Sequence, residues 1–263
     1  MAQPMYHQIA DDLRDRIESG ELPPGAQLPT ELELREKYAA SRNTIRDAIK
    51  RLTSLGLVAT RPGQGTFVVQ EIDPFVTTLT GDPTVGGAPG ESTAYLSEVS
   101  EQHRKAKASA PRVEVQVPSA EIAARLRVDP TTQVVSRHQQ RYIDDIPWSL
   151  QTTYYPMDFV TKGGALRLLT AEDMEGGVVK YLTGLLGLSQ VGYRDWITAR
   201  TPDLNEQNFF KIQHDATVFE VFRTGFDQNG KPLRVTVTVY PADRNQFIVN
   251  AGEVPAPEYN VDG

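Results

Sequence analysis

The stretch SRNTIRDAIKRL, residues 41–52, decides how the first part of this chain is interpreted. Arg42, Arg46 and Lys50 are spaced four apart, so on a helix they share one side, and the apolar residues of the stretch fall on the other. The helix would therefore bury one face and present a basic one. Because a basic face on a short helix is often only solvated, its meaning depends on the residues around it.

Charge is sorted along the first part of the chain. The whole chain carries a net charge of −7, but residues 1–34 hold two basic and seven acidic side chains, while residues 35–61 hold seven basic and two acidic ones. Overall acidity argues mildly against nucleic acid as a partner, yet the local distribution counts for more than the sum. The opening stretch lies inside the positive block.

The flanking sequence completes a helix-turn-helix pattern. An amphipathic helix ends at Gly20, a second begins with the capping-box pair Thr30 and Glu33, and Ser41 is a good N-cap for a third. Two short strands joined by a Gly-rich turn follow within residues 57–70. This order predicts a winged helix-turn-helix, a fold that places the N-terminal end of its third helix in the major groove of DNA.

The predicted fold gives the basic face a role. Arginine pairs with guanine through two hydrogen bonds, asparagine pairs with adenine, and lysine suits phosphates. The residues expected to contact DNA are Tyr6, Ser41, Arg42, Asn43, Thr44, Arg46, Lys50, Arg61, Gly63 and Gly65. A basic face that is only solvated is the alternative, but it leaves the tight turn, the hairpin and the sorted charge unexplained.

Residues 4–68 also resemble the DNA-binding half of GntR-type bacterial regulators. The resemblance rests on the motifs SGxLxPGxxLPxE, SRxTxRxAxxxL and GxGTFV taken together. It implies that Ser41, Arg42 and Arg46 match operator-contacting positions and that Gly63 matches the tip of the wing. The family often has an arginine after the glutamate of LPxE that contributes to base recognition. This chain has Leu32 there, so the usual operator sequence is not carried over.

Composition excludes several other classes of protein. There is no cysteine, and therefore no disulfide, thiolate metal site or cysteine nucleophile. The N-terminus lacks a signal-peptide pattern, and no apolar run reaches the roughly 20 residues that span a bilayer. The four histidines lack metal-site spacing, and no nucleophile-elbow or P-loop pattern occurs. We expect a cytoplasmic protein that is not an enzyme and has no cofactor, metal or membrane partner.

The chain divides into four predicted segments. A winged helix-turn-helix domain covers residues 1–70, and a linker rich in Gly, Pro and Thr covers 71–93. An effector-binding and dimerisation domain follows over 94–252. Residues 253–263 are expected to be a disordered tail.

The second domain contains a repeat. A short helix followed by a strand, a turn and a strand ending in Tyr-Pro occurs twice, 85 residues apart, so that Tyr155-Pro156 corresponds to Tyr240-Pro241. Two such units predict one antiparallel sheet with helices on one face, which makes the fold class α+β. This half resembles the effector-binding domain of the HutC branch of GntR regulators, the UTRA domain, through RYIDDIPWSLQTTYYP, WITARTPDLNEQ and GKPLRVTVTVYPADRNQF. The resemblance implies a chorismate-lyase-like fold.

A polar strand face suggests where an effector would bind. Arg137, Gln139 and Arg141 alternate along one strand and share a face, as an anion site built from guanidinium groups would require. Family members that sense sugar phosphates have arginines matching Gln139 and Arg141, acids matching Gln151 and Arg234, and a tyrosine matching Tyr240. The candidate effector-binding residues are therefore Arg137, Gln139, Arg141, Gln151, Arg234 and Tyr240.

The candidate residues depart from the family's pattern. Only the arginine and the tyrosine at positions 141 and 240 are kept, so an amino-sugar phosphate is not the expected effector. The alternative is that Arg137 and Arg141 form surface ion pairs with Asp144, Asp145 or Glu220.

Together these features predict a sequence-specific DNA-binding regulator, most simply a repressor. We expect it to bind a palindromic operator as a homodimer and to respond to a small-molecule effector, with anions among the candidates. Two alternatives remain: a ligand-independent DNA-binding repressor, and a lyase-like enzyme fused to a DNA-binding domain.

Overall fold

The computed structural model describes residues 4–61, 63–69, 74–79, 99–100 and 103–249. The chain forms two compact units, residues 1–73 and residues 74–263. Residues 74–79 of the predicted linker are described and contain a short strand, whereas the rest of that linker and the predicted tail lie outside the described residues. Within the described part, no helix is both long and apolar enough to cross a membrane.

The first unit is the predicted winged helix-turn-helix, and the prediction is confirmed. Its elements are α1 (Met5–Glu18), α2 (Glu31–Tyr38), α3 (Arg42–Ser54), β1 (Val58–Arg61) and β2 (Gly65–Val68). The predicted capping box forms at the start of α2, where Thr30 accepts a hydrogen bond from the Glu33 backbone and Glu33 accepts one from the Thr30 backbone. The turn between α2 and α3 is short because Ala39 adopts the left-handed conformation, with φ 48°.

Three helices bury a common apolar core. Ile9 and Leu13 of α1, Leu34 of α2, and Ile45 and Leu52 of α3 are all essentially inaccessible to solvent. Because α3 uses its apolar side for this core, the orientation of its basic side is fixed toward solvent.

The second unit is a mixed α+β domain, as predicted. Its strands are β3 (Phe75–Leu79), β4 (Ala106–Ala108), β5 (Arg112–Gln116), β6 (Val134–Ile143), β7 (Ile146–Pro156), β8 (Gln190–Arg200), β9 (Val218–Asp227), β10 (Pro232–Pro241) and β11 (Asn245–Val249). Its helices are α4 (Ala120–Leu126), α5 (Asp158–Thr161), α6 (Gly177–Leu186) and α7 (Leu204–Phe210), with a 3₁₀ turn at Leu166–Leu169.

One antiparallel sheet of seven strands organises this unit. Strands β4 and β5 both pair with β6 at one edge, and β7, β10, β9 and β8 follow in that order. The two predicted helix–hairpin repeats meet at the centre of the sheet, where β7 pairs with β10 and Thr152 lies opposite Val237. These two residues are 85 positions apart, so the sequence repeat corresponds to an approximate local two-fold relation within the sheet. Strands β3 and β11 form a separate parallel pair.

Helices cover both faces of the sheet, so the prediction of helices on one face is wrong. The repeat helices α4 and α7 pack on the face that carries Val134, Leu150 and Val239. Helix α6 and the 3₁₀ turn pack on part of the opposite face, around Val135 and Tyr155. The remainder of that opposite face carries the candidate effector residues.

Candidate DNA-binding and effector sites

Helix α3 presents a row of exposed cations. The side chains of Arg42, Arg46 and Lys50 are 69%, 56% and 75% exposed, respectively. The same helix buries Ile45 and Leu52 in the core of the unit. The structure therefore brings the three sequence-predicted cations together on one open surface, where they can reach a polyanion.

Glu31, at the start of α2, contacts two of these arginines. Its carboxylate accepts a hydrogen bond of 3.0 Å from Arg42 Nε and lies 3.7 Å from Arg46 Nε. Both arginine side chains remain more than half exposed beside Glu31, so a bidentate contact with guanine stays within their reach. An exposed pair of this kind is worth at most about 1 kcal/mol and is readily exchanged for contacts with DNA.

The N-terminal end of α3 is held by hydroxyl groups. Ser41 Oγ accepts a hydrogen bond of 3.2 Å from the Thr44 backbone N–H, and the two hydroxyl oxygens are 2.8 Å apart. Asn43 is exposed between them. The cap fixes the backbone of the helix end that carries the predicted base-reading residues.

The hairpin that forms the wing is tied to the loop before α2. Gln27 Nε2 donates a hydrogen bond of 2.9 Å to the Gln64 carbonyl at the hairpin turn. Gly65 has φ +121°, a backbone conformation that favours glycine, and an added Cβ would displace the Gln27 amide from its place beside the turn. The Arg61 guanidinium lies 4.4 Å from the centre of the Phe67 ring. Gly63 lies at the exposed tip with φ +72°.

Tyr6 is placed differently from the other predicted DNA contacts. It stands in the first turn of α1, half-buried against the core of the first unit, and its ring centre is 4.3 Å from that of His7. Its side chain is therefore mainly engaged in packing.

All six candidate effector residues lie on one face of the seven-stranded sheet, but they do not line one cavity. Arg137, Gln139 and Gln151 line a cavity together with Thr153, Tyr155, Asp173, Met174, Gly177 and Val178. That cavity has a volume of about 30 Å³, room for only about two water molecules. An effector larger than this requires the covering segment to open.

Arg137 is buried and bound to backbone oxygens. It is only 6% exposed, and its guanidinium donates hydrogen bonds to the carbonyls of Leu168, Thr170 and Glu172 at 3.0, 2.7 and 2.6 Å. Burial lowers the pKa of this guanidinium, partly offset by the nearby Tyr155 and Asp173. The side chain thus fastens the segment that covers the cavity.

The predicted alternative of surface ion pairs is wrong for both arginines, because Arg137 and Arg141 are buried, with Arg141 only 1% exposed. The carboxylates named for that alternative have other cationic partners. Asp144 pairs with Arg104, Asp145 with Lys107, and Glu220 with Arg200.

The remaining candidate residues lie apart from the cavity. Arg234 is buried and donates hydrogen bonds to Gln190 Oε1 at 2.9 Å and to Thr236 Oγ1 at 2.8 Å. The ring of Tyr240 meets that of Phe247 edge to face, with 5.4 Å between ring centres. Neither side chain lines the cavity that contains Arg137.

Sequence reasoning did not identify Asp173, which accepts a hydrogen bond of 3.1 Å from Gln139 Nε2 at the mouth of the cavity. It also did not identify the buried pair of Arg223 and Asp195, with 2.7 Å from Arg223 Nε to the carboxylate. These residues face each other across β9 and β8. The alternation of side chains along each strand does not identify that pair, because the register between β8 and β9 is also needed.

Comparison with known proteins gives a consistent result. Residues 5–68 match the model of bacterial regulatory proteins of the gntR family, and residues 101–246 match that of the UTRA domain. The HTH-type transcriptional regulator GmuR of Bacillus subtilis is 25% identical over 246 residues, covering 94% of this chain and 97% of that protein. The HTH-type transcriptional repressor NagR of the same species is 24% identical, covering 93% of each.

A solved structure shares the fold. The crystal structure of PhnF from Mycobacterium smegmatis aligns with a TM-score of 0.56 at 21% identity, covering 93% of this chain and 99% of that one.

Proposed function

Because the chain belongs to the bacterial GntR-type regulators that carry a UTRA domain, we propose that it represses transcription from a palindromic operator, which it binds as a homodimer. It is a DNA-binding transcriptional regulator with an effector-binding domain. Its named relatives are regulators and not enzymes. Its DNA target lies in the bacterial cytoplasm, which is the location we propose for it.

One observation carries this proposal: an acidic chain exposes a row of cations on the helix that winged helix-turn-helix folds insert into DNA. We propose that Arg42, Asn43 and Arg46 contact base edges. We propose further that the contacts with the DNA backbone involve Tyr6, Ser41, Thr44, Lys50, Arg61, Gly63 and Gly65. The two glycines would allow the wing to approach the DNA backbone closely.

We also propose that the effector enters the cavity lined by Arg137, Gln139 and Gln151. Gln151 Oε1 is buried and has no hydrogen-bond partner among the described residues, so it can accept a bond from a ligand. A ligand shifts an equilibrium only if it favours one state. Here the favoured state is the open one, in which the segment fastened by Arg137 has moved and the cavity has enlarged.

The small volume of this one cavity supports a second candidate, a repressor in which no effector occupies it. A thermal-shift screen of the full chain against small metabolites separates the two. A compound that raises the melting temperature and also changes operator affinity supports the first candidate. A compound that binds without changing operator affinity supports the second.

DNA binding itself is tested by fluorescence anisotropy of the full chain with DNA from immediately upstream of its own gene, over a salt series. We expect tight binding that resists competitor DNA and weakens steeply with salt, because phosphate contacts release counterions. Binding no tighter than that to random DNA of the same length would contradict the proposed operator.

A further inference from the structure

The two edges of the seven-stranded sheet are built differently. One edge consists of β4 and β5, which are three and five residues long, with Pro111 in the gap between them and charged Lys107 and Glu114 along them. Short strands, proline and charge are the devices that keep an edge from pairing with another chain. The opposite edge has neither a short strand nor a proline.

That opposite edge is β8, a strand of eleven residues whose register with β9 shifts once, between Gln190 and Gly192. Among the described strands it pairs only with β9, so its other side presents a row of backbone N–H and C=O groups. A long open edge of this kind can pair with a strand of another chain.

The side chains in the middle of β8 are apolar and exposed. Trp196 is 55% exposed and Ile197 is 40% exposed, and the next two residues, Thr198 and Ala199, are exposed as well. A tryptophan buries 150–250 Å² when it is covered, roughly speaking, and is a frequent anchor of protein interfaces. The only other tryptophan, Trp148, is fully buried within the unit.

The charges on β8 are mostly neutralised inside their own unit. Asp195 is bound to Arg223, and Arg200 pairs with Glu206 and Glu220. Arg194 is the remaining charge on the strand, and its guanidinium lies 5.7 Å from the centre of the Phe226 ring.

A second copy of β8 fits this edge without charge repulsion. If two strands run antiparallel about a two-fold axis at Trp196, then Arg194 lies opposite Thr198 of the second copy. The two Arg194 residues are then separated by about 13 Å along the strands. This exceeds the Debye length of about 8 Å at physiological ionic strength, so their repulsion is screened.

We propose that β8 pairs antiparallel with β8 of a second copy about a two-fold axis near Trp196, which joins the two seven-stranded sheets. This inference rests on the homodimer of the proposed function and assigns its interface. The contact is isologous, as a two-fold dimer requires, and it covers Trp196 and Ile197.

The two tryptophans make the test direct. Because Trp148 stays buried in the monomer, a change of emission on dilution of the full chain reports on Trp196. We expect the emission to shift to longer wavelength over the same concentration range in which sedimentation shows the dimer dissociating. Dissociation of the dimer without any shift of emission would overturn the β8 interface but would still support the proposed homodimer.

A pair of matched variants tests the edge itself. Trp196→Glu puts two carboxylates opposite each other at the axis and is expected to weaken dimerisation by about thirtyfold or more, as loss of an interface anchor does. Val115→Glu places the same charge on β5 at the other edge and should leave the dimer unchanged. If Trp196→Glu does not fold, the dilution experiment on the native chain decides.

The outcomes separate this inference from the proposed function. Equal dimerisation of Trp196→Glu and the native chain would overturn the β8 interface alone. A native chain that is monomeric at every concentration, yet binds its operator, would overturn the homodimer as well.

Discussion

Arginine residues serve opposite purposes in the two units of this protein. On α3, Arg42 and Arg46 are exposed, and among the described residues their ion-pair partner is the exposed carboxylate of Glu31. On the sheet of the second unit, Arg137 and Arg234 are buried, and backbone carbonyls, an amide and a hydroxyl accept their hydrogen bonds. Exposure, and not residue type, separates a cation that is available to a partner from one that holds the fold.

The energetic consequences differ in the same way. An exposed ion pair contributes at most about 1 kcal/mol, so removing one of these arginines should leave the first unit folded. Removing a buried guanidinium leaves several carbonyls without a donor, each costing about 1–3 kcal/mol before relaxation. Substitutions in one region should therefore change binding, and those in the other should change stability.

The largest effect is expected for Arg137→Ala. Loss of the bonds to the carbonyls of Leu168, Thr170 and Glu172 should destabilise the second unit by about 3 kcal/mol. Urea unfolding of the full chain measures it. Arg112→Ala, at an arginine whose side chain is exposed, is the control and should cost less than about 0.5 kcal/mol. Equal costs for the two variants would break the comparison.

Next in size is Arg46→Ala. If this residue contacts a base, operator affinity should fall by about 1–3 kcal/mol while the unfolding curve stays unchanged. Anisotropy with operator DNA measures the affinity. Arg14→Ala, on the outer face of α1, removes an equally charged and partly exposed side chain and should leave the affinity nearly unchanged. An intact affinity in Arg46→Ala would remove it from the recognition surface.

A smaller and less selective loss is expected for Lys50→Ala. A lysine at a phosphate weakens binding to all sequences alike and lowers the slope of log affinity against log salt by about 1. Comparison of operator and random DNA over the salt series provides the measurement. A loss confined to the operator would assign Lys50 to base recognition instead.

A gain is expected for Leu32→Arg. Leu32 is exposed next to Glu31, at the position where the GntR pattern often has arginine. An added cation there should tighten DNA binding at low salt and steepen the salt slope by about 1. Leu32→Gln serves as the uncharged control, and similar behaviour of both variants would place this position away from DNA.

The first unit was predictable because its signals are local. The Ser41 cap is local, because the backbone N–H that it accepts from belongs to Thr44, three residues later. The spacing of Arg42, Arg46 and Lys50 alone defines the exposed face of α3. The repeat likewise predicted two hairpins of one sheet. The residues that face each other at the middle of their pairing, Thr152 and Val237, are separated by the repeat length of 85 residues.

The role of Arg137 was not predictable from its strand. The pattern correctly placed Arg137, Gln139 and Arg141 on one face, but it gave no information on what covers that face. The carbonyls that bind Arg137 come from residues more than thirty positions later, and they close the cavity to about 30 Å³. A strand pattern specifies a face, whereas burial of that face depends on distant segments.

The most direct test of the contrast is arginine labelling with phenylglyoxal, read out by mass spectrometry on the native full chain with and without operator DNA. Arg42 and Arg46 should be modified quickly in the free protein and become protected when operator is added, whereas Arg137 and Arg234 should be protected in both states. Labelling of Arg46 that operator leaves unchanged, or labelling of Arg137 as fast as that of Arg46, would contradict the division between binding and structural arginines.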